Sequence, residues 1–358
     1  MFEASALSNL KSLQGPILVT GHTGFKGTWL VELLESLGFE VVGLSLPAEQ
    51  DSLRDRIGSE RRYVDFFVDV NNSEKVNEVV ATINPGFIFH LAAQAIVSEA
   101  FANPAKTYLT NMVGTLNVIE AAKNLSQCRG VQVITTDKVY WNDESGKAFS
   151  EQDAIFGYDP YSGSKVGAEA VVAGLQSLYK DRHGLLIQSV RAGNVIGGGD
   201  FAINRLLPDI VRSILNEEVF VVRNPESTRP WQHVLEPLTG YVMAAERMLK
   251  YQDNSPYNFG PTEDSLSVSQ VISIVREIWP KLVINAADGK ALRMHEAKTL
   301  QISPTKAIHE LGWSPIFSQQ KAIELTINWW DKVLSGKSSP LSAMGSDIEL
   351  LTSGSVND

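Results

Sequence analysis

The chain has 358 residues with a formal net charge of −10, a pI near 5.2 and 44% hydrophobic side chains. An acidic surface excludes broad binding to nucleic acid or anionic membranes, which needs a basic face to neutralise phosphates. A single cysteine, Cys128, excludes an internal disulfide and fits a reducing compartment. The opening "MFEASALSNLKSLQG" has no basic start followed by an apolar run, and no span of about twenty apolar residues occurs, so a cytoplasmic protein is expected. No metal is expected.

From Pro16 the pattern alternates short apolar runs with helix-period segments. "PILVTG" predicts a strand, then a helix from about Gly24 to Ser36, the strand "FEVVGLSL", the strand "VDFFVDV", a helix from about Ser73, and the strand "GFIFHLAA". "VQVITT" and "LIQSVRAGNV" predict a fifth and a sixth strand, with a helix from about Tyr161 to Tyr179 between them. Strand–helix–strand units at this spacing predict an α/β fold: a doubly wound Rossmann parallel sheet, with ligands at the carboxyl ends of its strands.

After Gly197 the regularity breaks into helices joined by proline-containing polar loops, which predicts a smaller C-terminal α/β substrate-binding lobe. The expected division is a dinucleotide-binding domain over 1–195, to which later segments return, and a mainly substrate-binding domain over 196–334. The serine- and glycine-rich tail, 335–358, is expected to lack fixed structure.

"VTGHTGFKG" places Gly21, Gly24 and Gly27 three residues apart, directly after a strand and at the start of a helix. The first glycine allows the tight turn, the second admits a pyrophosphate to backbone N–H groups, and the third lets helix and strand pack closely. The acidic residue that usually holds the adenosine ribose is missing after the second strand, where Ser45 stands instead, so this position does not choose between NAD and NADP. Asp69 can accept from an adenine amino group or cap the following helix. In "HLAAQ", Ala92 and Ala93 leave room for a cofactor, and His90 reads as a packed, hydrogen-bonded histidine.

"VITTDKVYWN" is followed about twenty residues later by "DPYSGSK". Tyr161 and Lys165, four apart, lie on one helical face. An ammonium beside a phenol favours the phenolate, giving a base that can take a proton from a sugar hydroxyl while a nicotinamide takes the hydride.

These motifs resemble the extended short-chain dehydrogenase/reductase family. The runs "RAGNVIGGGDFAINRLLPD" and "RPWQHVLEPLTGY", with "HLAAQ", "TTDK", "DPYSGSK" and "ELGW", resemble its CDP-glucose 4,6-dehydratases more closely. The resemblance implies NAD as cofactor, with Thr23, Phe25, Lys26, Ser45, Asp69, Val70, Leu91, Gln94 and Thr110 joining the glycines and alanines around it. It implies that Tyr161, assisted by Lys165, deprotonates the 4-hydroxyl and that Thr136 holds the 4-oxygen. Asp137 is then the acid for the water leaving C6. Lys138 stands where the dTDP-glucose enzymes carry a glutamate, and as the C5 base it must be neutral. Hydride returns to C6, so NAD is regenerated. Gln94, Asn194, Arg205 and Arg229 are the implied substrate-binding residues, the arginines facing the diphosphate.

The family also implies a homodimer, built on helices from about Lys106 to Asn124 and Tyr161 to Leu178, and a place in deoxysugar synthesis. This chain departs from the family in a shorter loop before Tyr161 and in Gly163, where asparagine is usual. A 4-epimerase would use Tyr161 and Lys165 but not the Asp137–Lys138 pair. A catalytically silent scaffold would need none of them.

Overall fold

The computed structural model describes residues 6–60, 63–222, 224–286 and 300–353. Its centre is a seven-stranded parallel sheet built from β1 (Ile17–Thr20), β2 (Val41–Ser45), β3 (Val64–Phe67), β4 (Phe87–His90), β5 (Gly130–Ile134), β6 (Leu186–Ala192) and β7 (Tyr257–Phe259). The strand order is β7-β6-β5-β4-β1-β2-β3. All six predicted strands are present. The seventh was missed because "YNF" is too short to carry a pattern, and β6 alone fixes its register.

β1, β4, β5 and β6 are buried along their whole length, as a parallel sheet covered on both faces requires. Alternate residues feed opposite cores. Ile17, Val19, Phe87 and Phe89 pack under α1 (Phe25–Ser36). Leu18, Ile88, Val131 and Val133 pack under α2 (Ser73–Ile83) and α3 (Gly114–Ala122). The long α4 (Pro160–His183) joins the second face, its start fixed by a capping box between Asp159 and Ser162.

Beyond β6, the described residues to 334 form α5 (Leu206–Leu215), α6 (Leu235–Tyr251), α7 (Val268–Ile278), a short helix Thr305–Leu311 and α8 (Gln319–Leu334), with four two-stranded ladders, one of which pairs Gln301–Ile302 back to Ala148–Phe149. A separate apolar core here joins Leu207, Ile210, Trp231, Val271, Val275, Ile323 and Ile327. α6 instead packs on the first face of the large sheet through Leu238, Tyr241, Val242 and Met248. α8 spans both cores, since Trp329 and Trp330 lie in the sheet's core and Ile323 and Ile327 in the smaller one.

The tail requires a correction. Residues 340–353 form α9 (Pro340–Ser353), whose Ala343, Met344, Ile348 and Leu351 are buried in the same core as Trp29 and Trp330. Serine and glycine content concealed an apolar stripe at helical spacing. The end of that tail, 354–358, lies outside the described residues. No helix among the described residues is long and apolar enough to cross a membrane.

Candidate active site

The turn after β1 places Gly21 at φ +73°, where a Cβ would come within 2.6 Å of the Ala92 backbone nitrogen. Only glycine lets this loop lie against the end of β4. Gly24 is the N-cap of α1 with no side-chain cap, and no acidic residue occupies the first turn. The N–H groups of that turn, and the positive end of the helix, are therefore left to an anion. A dinucleotide pyrophosphate fits this cradle.

Thr23 and Ser45 meet hydroxyl to hydroxyl at 2.8 Å on the β2 side, and the Thr23 hydroxyl also reaches the Leu46 carbonyl at 3.0 Å. Asp69 is exposed and its Oδ1 accepts from Asn71 N at 2.9 Å, in the turn before α2, whose N-cap is Asn72 and not Asp69. Val70 is buried against Gly114. His90 is structural: Nδ1 meets the Thr20 hydroxyl at 2.7 Å and Nε2 the Thr115 hydroxyl at 3.0 Å, and burial, with Lys165 assisting, lowers its pKa to about 3.

Leu91, Ala92 and Ala93 lead from β4 to Gln94, whose side chain turns into its own loop. Its amide nitrogen donates to Ile96 O and the Thr107 hydroxyl at 3.0 Å each, and its oxygen accepts from Ile96 N. That amide shapes the loop. Asn111, absent from the sequence-based set, holds the same loop from the π-helical turn Leu109–Val113: Nδ2 donates to Gln94 O at 2.9 Å and to the Ser164 hydroxyl at 2.8 Å. An isolated asparagine carries no sequence signal, and only the π-turn aims it inward. Thr110, on that turn, accepts from the exposed Asn71 side chain at 3.2 Å.

The ends of β5 and α4 bring the catalytic candidates together. Thr136 donates to Asp137 Oδ1 at 3.0 Å and is among the groups that act on the Tyr161 phenol. Lys138 Nζ lies 3.4 Å from the same Oδ1, and Gly193 of "RAGN" leaves Asp137 Oδ2 room that a side chain would crowd. Asp159 accepts from the backbone N–H of Tyr161 and Ser162, fixing Tyr161 in the first turn of α4.

Lys165 is anchored on the sheet and, among the described residues, makes no hydrogen bond to Tyr161. Its ammonium donates to Ile134 O at 3.1 Å, and burial, opposed by Glu169, pulls its pKa down to about 8. Burial raises the Tyr161 phenol above its ordinary value, and the cations that oppose this are Lys138 and Arg205. The helical spacing that puts Lys165 one turn from Tyr161 also points its flexible stem at the open carbonyl ending β5.

Behind Lys165, Glu169 is buried and accepts from Thr135, from Ser189 and twice from Arg191, at 2.6 to 2.8 Å. Burial pushes its pKa up, but these donors outweigh it and the carboxyl is held below its usual range. The network was legible only as Glu169 one turn after Lys165.

Arg205, just before α5, bonds Asp200 Oδ2 at 3.0 Å. Arg229 lies half-buried in the short ladder Thr228–Arg229 with Leu266–Ser267, donating to Thr228 O at 2.7 Å, and Asn194 O accepts from Gln232 N at 3.3 Å. His233 is buried, with Nε2 3.8 Å from Asp347 of α9. Lys26, in the first turn of α1, crosses the site to donate to the Tyr241 hydroxyl of α6 at 3.1 Å.

This geometry sets a phosphate cradle beside a tyrosine and an acid–amine pair. The GDP-mannose 4,6 dehydratase family model matches residues 18–326. The CDP-glucose 4,6-dehydratase of Salmonella typhimurium is 37% identical over 332 residues, covering 90% of this chain and 92% of the relative. A dTDP-glucose 4,6-dehydratase from Bacillus anthracis, solved in complex with NAD, superposes with a TM-score of 0.73 at 20% identity, over 89% of this chain and 97% of that one. A UDP-glucose 4-epimerase from Thermotoga maritima, solved with UDP-glucose, gives 0.74 at 22% identity, over 89% and 99%. The chain belongs to the nucleotide-sugar 4,6-dehydratase family.

Proposed function

We propose that this enzyme dehydrates CDP-glucose to CDP-4-keto-6-deoxyglucose with NAD as a retained cofactor. The observation that carries this is the Asp137–Lys138 pair, bonded to Thr136 and acting on the Tyr161 phenol. A 4-epimerase has no use for a second acid and base at this position. The nucleotide follows from the 37% identity to the Salmonella CDP-glucose enzyme.

Bound NAD supplies the hydride acceptor at C4 and the donor at C6. Tyr161 takes the 4-hydroxyl proton, with Thr136 holding that oxygen, and the resulting 4-ketone acidifies the C5 proton. Lys138 takes the C5 proton and Asp137 gives one to the departing C6 hydroxyl. One proton moved from the Lys138 ammonium to the Asp137 carboxylate leaves an amine base and a carboxylic acid, with no change in net charge. Lys165, held by Ile134 O and facing Glu169, orients the cofactor and keeps positive charge near the reacting oxygens. Arg205, Arg229 and Asn194 receive the diphosphate.

Turnover in heavy water tests the assignment. The dehydratase product gains deuterium at C5, whereas an epimerase never breaks that bond. A product without deuterium at C5 overturns the proposal.

The protein is also proposed to act as a homodimer in the cytoplasm. Leu109, Met112, Val113 and Leu116 are each more than a third exposed on one segment, and Leu178 of α4 is 39% exposed, an apolar surface of the kind that pairs helices between subunits. Light scattering at micromolar concentration should give twice the chain mass, and a monomer contradicts it.

A further inference from the structure

Lys26 is the residue of the glycine loop that the reaction, as described, leaves without a task. Glycine-loop side chains at the start of α1 can point to solvent, but Lys26 turns inward. Its Nζ is 3.1 Å from the Tyr241 hydroxyl and 5.6 Å from the centre of that ring. Tyr241 is fully buried in α6, on the sheet's first face. No carboxylate lies within ion-pair distance of Lys26 among the described residues.

Cations crowd this ammonium from three elements: Lys165 from α4, Arg205 from the loop before α5, and Lys138 after β5. Asp137 opposes them. Tyr161 and Asp137 both act on its partner, Tyr241. Burial, followed by Lys165 and Arg205, brings the Lys26 pKa to about 7, so the amine and the ammonium are both populated near neutrality.

The position of this amine matters more than its pKa. A dinucleotide whose pyrophosphate rests on the first turn of α1, and whose reactive ring faces Tyr161, must run along the carboxyl ends of β1, β4 and β5. Lys26 leaves that same turn for the Tyr241 hydroxyl and feels the charge of Lys165, which is anchored on the last carbonyl of β5. A nicotinamide half bound in this way would pass this nitrogen.

We propose that Lys26 sets the charge around the nicotinamide, standing as a neutral amine beside the oxidised, cationic ring and taking up a proton when the ring becomes neutral on accepting hydride. The hydride and the proton enter the site together, so its net charge rises by one from the proton and falls by one at the ring. Tyr241, a phenol held protonated by burial, offers its oxygen to the ammonium and its hydroxyl proton to the amine, and so serves either state. Lys26 and Tyr241 make a second amine–phenol pair, apart from Lys165 and Tyr161. The inference rests on NAD being the cofactor.

The test equilibrates the holoenzyme with equal NAD⁺ and NADH at a series of pH values and reads the bound ratio after extraction. In the wild type, bound NADH over bound NAD⁺ should fall with rising pH around neutrality, by up to about tenfold per pH unit, since NADH binding carries a proton with it. Lys26→Met should make the ratio nearly independent of pH across that window. Lys26→Arg, a permanent cation, should favour NADH to the highest pH tried, and it guards against misfolding of the methionine variant. A wild-type ratio without pH dependence, or one that survives unchanged in Lys26→Met, overturns the proposal. A wild type that holds neither nucleotide overturns instead the assignment of NAD on which the proposal rests.

Discussion

The Lys138 ammonium lies 3.4 Å from Oδ1 of Asp137, the carboxylate being almost fully buried and the lysine about a quarter exposed. The two groups proposed to transfer protons in the elimination are thus in contact before any sugar arrives. Asp137→Asn keeps the volume but cannot give up a proton to the C6 hydroxyl. Elimination should slow by about 10²- to 10⁴-fold, while Tyr161 still forms the 4-ketone. Single-turnover absorbance should then show reduced nicotinamide that accumulates. Unimpaired product formation contradicts the assignment.

Burial raises the Tyr161 phenol, and the proposed working base is its phenolate. Below the raised pKa the fraction of base grows about tenfold per pH unit, so hydride transfer should quicken as pH rises from neutral. Rapid-mixing measurement of that step across pH reads the slope. Tyr161→Phe should lose the step altogether, and a flat profile in the wild type counts against phenolate as base.

Glu169 and Arg191 form a buried ion pair with both partners 5% exposed. Glu169→Ala leaves the guanidinium without its counter-ion and should cost about 3–5 kcal/mol in urea unfolding. The folded-state pKa of Glu169 is depressed, so its contribution is fully present above the unfolded carboxyl pKa and lost as pH falls through the folded value. Wild-type stability should therefore decline toward acid more steeply than that of Glu169→Ala. Parallel pH–stability curves would contradict this.

The sheet and its cofactor loop were legible because β1, β4 and β5 are continuous apolar runs and the glycines punctuate them. The placement of Thr136, Asp137 and Tyr161 at a strand end and a helix start was legible for the same reason, since both are local features. What sequence spacing could not convey was direction. Lys165 bonds Ile134 O and Gln94 folds onto Ile96, partners that neither helical periodicity nor the family resemblance indicated. Long-range partners such as Lys26 with Tyr241, 215 positions apart, leave no mark in either local pattern.

Gly163 has a packing reason. A Cβ on it would collide with the Tyr108 hydroxyl, and Gly157 crosses its backbone so closely that a Cβ there would strike Gly163. Gly163→Ala should destabilise by about 1–3 kcal/mol through overpacking. Removing the hydroxyl as well, in Gly163→Ala with Tyr108→Phe, should recover part of the loss in a thermal melt. Equal additive losses contradict the contact.

Truncation after Ser339 removes α9 and with it the burial of Met344, Ile348 and Leu351. At roughly 1.5–3 kcal/mol for each fully buried aliphatic side chain, the loss should be at least about 3 kcal/mol and visible as a lowered melting temperature. A tail without fixed structure would leave the melt unchanged.

The most direct measurement incubates the purified protein with CDP-glucose, without added NAD, and weighs the sugar nucleotide by mass spectrometry. Loss of one water establishes dehydration and a retained cofactor together. An unchanged mass that persists when NAD is added contradicts CDP-glucose as the substrate.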